Sequence, residues 1–190
     1  MSAIIALIGR PNVGKSSVFN LLTNTNASIV ADYPGLTRDR KYGALNNSSI
    51  VLIDTGGIGS EGDLSKSVLL QTESAIDEAD IFLLILDVKE GILPLDQEIA
   101  HKLRKTNKRI IPIINKIDAV TDFVMADEFS KLGFEEFLYI SAAHNRGIKD
   151  LRDYLDESFY ESEERNLISD DLTISIIGRP NVGKSTLLNT

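Results

Sequence analysis

The stretch Gly9-Arg10-Pro11-Asn12-Val13-Gly14-Lys15-Ser16 carries the most specific chemistry in the sequence. It follows the apolar run Ile4 to Ile8 and opens a helical pattern, the strand-loop-helix setting that a phosphate-binding loop requires. The glycines let the backbone curl so that its N–H groups are exposed, and the start of a helix adds positive potential there. Gly9, Asn12, Val13, Gly14, Lys15, Ser16 and Ser17 are the residues such a loop would set against a phosphate chain. Lys15 would reach the terminal phosphates as a point charge, and the Ser16 hydroxyl would help complete the oxygen shell of a magnesium ion. The competing reading, a glycine-rich turn that only caps a helix, fits this context poorly.

Further along, Val51-Leu-Ile-Asp54-Thr-Gly-Gly57 puts a carboxylate just past a buried apolar run. Asp54 could hold magnesium through a water molecule, and Gly57 could offer its N–H to a terminal phosphate. Thr37, in a loop between the first helix and the second strand, could add a hydroxyl to the same metal when the terminal phosphate is present. Each segment alone is a common loop; their order after a phosphate loop gives them meaning. Lys15, Asn12, Thr37 and Gly57 are the candidates for acting on the terminal phosphate.

Asn115-Lys116-Ile117-Asp118 follows the apolar run Ile110 to Ile114 and is the set that would choose the base. The Asp118 carboxylate can accept two hydrogen bonds from the ring N–H and amino group of guanine, a donor pair that adenine lacks. A site built on such bonds rejects mismatched bases strongly, so GTP and GDP are favoured over ATP. Ser141, Ala142 and Ala143 end the last expected strand, where a backbone N–H could meet the guanine carbonyl.

These loops need a frame. Short β-rich runs near residues 3 to 8, 40 to 45, 49 to 54, 81 to 87, 109 to 115 and 137 to 141 alternate with helical patterns over 15 to 22, 64 to 78, 95 to 105, 123 to 131 and 148 to 159. In the second helix, Leu64, Val68, Leu69, Ala75, Ile76 and Ala79 recur three and four apart. The expectation is an α/β fold with a six-stranded, mainly parallel sheet and helices on both faces. Apolar runs are far shorter than the roughly 20 residues of a membrane span, and no basic segment precedes the first of them. Cysteine is absent, which removes disulfides and thiolate metal sites. A net charge of −8 opposes broad affinity for nucleic acid or anionic membranes. A cytoplasmic protein is expected.

Residues Ile8 to Ser16 read IGRPNVGKS, and Ile177 to Ser185 read the same nine residues again. That period is the size of a domain, so two tandem domains are implied. The expected division is a first domain over 1–160, a charged linker over 161–171 (ESEERNLISDD) and the opening of a second domain over 172–190. The linker stretch could instead extend the preceding helix.

Taken together, these elements resemble the translation-factor-related class of Ras-like P-loop GTPases, and the repeat narrows the resemblance to the Der (EngA) family. The resemblance implies GTP hydrolysis to GDP as a conformational switch, with magnesium, and a role in assembling the large ribosomal subunit, mainly through domains beyond these residues. It also implies that Asn12 binds a potassium ion in place of an arginine finger. Ile58 stands where small GTPases carry a water-orienting glutamine, which keeps a second reading open: a guanine-nucleotide-binding module with negligible hydrolysis. An ATP-dependent kinase would discard Asp118. Arg38 and Arg40 are alternative charge donors. His101 and His144, with no carboxylate or metal-ligand pattern around them, read as ordinary residues, and Asp80 and Asp87 as solvated strand ends.

Overall fold

The computed structural model describes residues 3–23, 41–45, 50–55 and 64–167, the side chains of 64–67, 71 and 158–167 excepted. Thr37, Gly57, Ile58, Arg38, Arg40 and the second IGRPNVGKS run lie outside the described residues. The chain falls into two units, Met1–Asp156 and Glu157–Thr190, and the sheet lies wholly in the first.

The strands are β1 (Ile4–Ile8), β2 (Lys41–Ala44), β3 (Val51–Asp54), β4 (Ile81–Asp87), β5 (Arg109–Asn115) and β6 (Leu138–Tyr139). They form one sheet in the order β2-β3-β1-β4-β5-β6, antiparallel between β2 and β3 and parallel elsewhere. The helices are α1 (Lys15–Thr23), α2 (Leu64–Glu78), α3 (Pro94–Arg104), α4 (Thr121–Ala126) and α5 (Ile148–Leu167).

The central strands are buried on both faces, as covered parallel strands are, so they read as continuous apolar runs. Alternation still sorts them. Ala6, Ile8, Ile53, Phe82, Leu84, Leu86 and Ile114 join one cluster with Val68, Ala75 and Ala79 around α2, Ile99 and Leu103 of α3, and Phe129. Ile5, Leu7, Leu52, Leu83, Ile85 and Ile113 point the other way, toward the face where buried Val18, Phe19 and Leu22 of α1 and Leu151 and Leu155 of α5 lie. Gly43 of β2 meets α1 so closely that a Cβ there would crowd Thr23 and Phe19. Among the described residues no helix is long and apolar enough to cross a membrane.

Three elements depart from the sequence expectation, the first being the strand expected over 137 to 141, which pairs only over Leu138–Tyr139 before Ala142–His144 tighten into a 3₁₀ turn. The helix expected over 123 to 131 starts two residues earlier and tightens after Ala126 into a 3₁₀ segment, Asp127–Leu132. Ala126, Phe129 and Leu132 are all buried; a three-residue repeat stacks them on one side, which a 3₁₀ turn satisfies. The last helix, expected to end at 159, continues to Leu167 through the first seven residues of the acidic stretch, where Glu161, Glu163, Glu164 and Arg165 are good helix formers.

Candidate functional site

Parallel order brings the C-terminal ends of β1, β3, β4 and β5 to one edge, where ligands of open α/β sheets bind. Leu7 of β1 pairs with Asp54 of β3, and Asp87 of β4 pairs with Asn115 of β5. The phosphate loop leaves β1 at Gly9, whose φ is +153° and whose Cβ, if it had one, would collide with the Ile85 carbonyl of β4. Gly14 has a φ of +99°, and a Cβ there would strike Nδ2 of Asn115. Both glycines are therefore required, the second by the base loop.

Lys15 is buried, its Nζ donating to the carbonyls of Gly9 at 2.8 Å and Arg10 at 2.6 Å. Burial pushes its pKa down to about 8, with Asp54 pulling it back up and the Arg10 charge adding to the depression. Asp54 is itself buried at the end of β3. The next residue, Thr55, donates its hydroxyl to the Leu7 carbonyl at 2.7 Å and pins the loop start to β1. Ser16, Ser17 and Asn12 are exposed. Asn12 has a φ of +65°, the left-handed region that Asn tolerates better than most residues.

Asn115 joins the two loops. Its Nδ2 donates to the Val13 carbonyl at 2.9 Å, and its Oδ1 accepts the Ala142 N–H at 3.0 Å. Ser141 is buried and donates its hydroxyl to Asp118 Oδ1 at 2.7 Å. Its backbone pairs with Arg146 in both directions at 3.0 Å, which closes the loop holding Ala142 and Ala143. Lys116 has a φ of +69° and turns its Nζ to Asp87 Oδ2 at 2.5 Å. The described candidates from the phosphate loop, β3, the Asn-Lys-x-Asp turn and the Ser-Ala-Ala turn thus converge on one edge.

Several residues were not legible in the sequence. Asp87 is buried rather than a solvated strand end, because it anchors Lys116 and accepts the Lys89 N–H at 2.9 Å. Asp80 is exposed, as expected, but accepts the Ile4 N–H at 2.8 Å. His144 does have a carboxylate neighbour: its Nε2 lies 3.9 Å from Asp118 Oδ1. His101 is exposed on α3. Arg10 is buried, its Nε lying 2.8 Å from both oxygens of Asp96 and its Nη1 2.6 Å from Glu90. Burial opposes its charge, but the bonds to Glu90 and Asp96 hold its pKa above the usual value. Burial raises the Asp96 pKa, while the Leu93 N–H and Arg10 pull it down. The contacts of Asp80 with Ile4, of Asp87 with Lys116 and of Arg10 with Asp96 and Glu90 have no sequence-spacing signal, since each joins distant segments.

A sheet of this order, with a glycine-bounded phosphate loop and an Asn-Lys-x-Asp turn at one edge, defines a Ras-like P-loop nucleotide-binding fold. The chain belongs to the family described as 50S ribosome-binding GTPase, whose sequence model matches residues 4–116 and again 173–190. It is similar to GTPase Der of Hahella chejuensis, with 46% identity over 193 residues that cover 100% of this chain and 41% of that protein. It is also similar to a solved Era variant from Aquifex aeolicus bound to GDP and AlF4−, with a TM-score of 0.64, 32% identity, and coverage of 81% of this chain and 56% of that one. A second Era structure, in complex with MgGDPNP and a 16S ribosomal RNA segment, matches with a TM-score of 0.63 at 27% identity over 95% of this chain and 60% of that one. The chain spans less than half the length of the curated relatives it matches.

Proposed function

We propose that residues 1–160 bind GTP and GDP and hydrolyse GTP, as the first of two tandem GTPase domains, with 161–171 as the linker and 172–190 opening the second. The observation that carries this reading is the Asn115 side chain, bonded at once to the phosphate loop and to the Ser-Ala-Ala turn. Phosphate and base elements then belong to a single site. The second family match, resuming at residue 173, supports the tandem division.

Ser16 and Asp54 present hydroxyl and carboxylate oxygens, the hard donors that suit magnesium, with Thr37 as a further hydroxyl. In such a site substrate phosphates and water complete the metal's oxygen shell. When bound, magnesium would neutralise charge on the phosphates. Lys15 would add its own charge there, and Gly57 an N–H at the terminal phosphate. A water attacks the terminal phosphorus in line, its bond to the bridging oxygen breaks, and GDP and phosphate leave; positioning supplies most of the catalysis. Asn12, exposed on the loop, offers an amide oxygen for potassium. The large ribosomal subunit is the proposed partner, and the cytoplasm the proposed place.

A bound fluorescent guanine nucleotide should be displaced by GTP and GDP at one site per chain and not by ATP; displacement by ATP would overturn the role of Asp118. Phosphate release in potassium and in sodium buffers tests the rest. Equal rates would remove potassium from Asn12, and no release in either would favour the binding module that Ile58 leaves open.

A further inference from the structure

A second layer of charged side chains backs the base loop. Asp122, in the first turn of α4, is buried. Its Oδ2 accepts the N–H of Asp118 and that of Ala119, both at 2.8 Å, and the Lys89 ammonium at 2.7 Å. A reciprocal helix cap, which reaches back three residues, would account for the Ala119 bond alone. The Asp118 N–H and the Lys89 charge are additional, and they fall on the residue proposed to choose the base. Lys89 Nζ also lies 3.9 Å from Asp118 Oδ2, and its backbone N–H is held by Asp87, the carboxylate that grips Lys116.

Asp118 is thus fixed from two sides. Ser141 holds one carboxylate oxygen in front, and Asp122 holds its backbone from behind. Lys89 and Lys116 lie among the three carboxylates Asp87, Asp118 and Asp122, with Lys89 bridging Asp118 and Asp122 and Lys116 on Asp87. An acceptor that must meet two donors on one base edge needs its direction set, not only its charge.

We infer that Asp122, braced by Lys89, is a positioning residue that sets the guanine selectivity of Asp118. The inference rests on the reading of this edge as a guanine-nucleotide site. Its test compares GDP with inosine diphosphate, which keeps the ring N–H but lacks the amino group. The wild-type chain should prefer GDP by roughly ten- to a hundredfold, the worth of one hydrogen bond to a charged acceptor. Asp122→Ala should bring that preference to within about threefold, with GDP losing more affinity than inosine diphosphate. Lys89→Met should narrow it less, and Lys89→Arg should restore it.

The Lys89 side chain is 42% exposed, so Lys89→Met carries the test if Asp122→Ala fails to fold. A preference unchanged in both variants overturns the positioning role, even if both are less stable. A wild-type chain that binds both nucleotides equally overturns the guanine reading itself.

Discussion

Lys15 sits between opposing demands. Burial pushes its ammonium down to about 8, whereas a phosphate beside it favours the charged form. Above about pH 8, therefore, nucleotide binding must draw a proton from solution, and affinity for GDP should fall by up to about tenfold per pH unit. Calorimetry in two buffers of different ionisation enthalpy at pH 8.5 to 9, roughly, checks this; equal heats would mean no proton uptake. The sign for folding is the reverse. Lys15 titrates lower in the fold than its ordinary 10.5, so the unfolded chain binds more protons between the two values. The cost of its burial is full below about 8 and is relieved as pH rises through that window. Lys15, Ser16 and Asp118 could be picked out in the sequence because a contiguous motif fixes their setting. Asp87, Lys89 and Asp122 could not, because Lys89 meets Asp122 33 residues away and no local pattern announces such a pair.

Order and type of the elements were readable, since the central strands are short apolar runs and most helices keep their period. What escaped was decided by tertiary contact. The 3₁₀ tightening after Ala126 follows from a burial pattern that only the packed core imposes, and Gly133, at a φ of +73°, stops it. The tie between α3 and the phosphate loop is of the same kind. Arg10 reaches 86 residues along the chain to Asp96, which also accepts the Leu93 N–H at the start of α3 at 2.9 Å. Arg10→Ala would leave the buried Asp96 carboxylate without its partner and should cost about 3–5 kcal/mol in urea unfolding. Arg10→Met combined with Asp96→Leu should cost less than that single change, because no buried charge is left alone. If the paired variant were the worse of the two, charge compensation would not be what the clamp supplies.

For the molecule as a whole, the nine-residue repeat was the feature most plainly written in the sequence, and charge the next. At a net −8, the chain's field repels a phosphate backbone. Filter binding of these 190 residues to ribosomal RNA should show no retention at about 0.15 M salt. Retention that falls steeply with added salt would reveal a cationic surface that the composition hides.

The Asn115 side chain has one more consequence. By bonding to Val13 on one side and Ala142 on the other, it fixes how far apart the two loops stand. On the proposed reading the site would be a caliper, measuring the span between a ligand's base and its phosphates as well as recognising each. A molecule carrying both groups at another spacing would find each half welcoming and the whole refused.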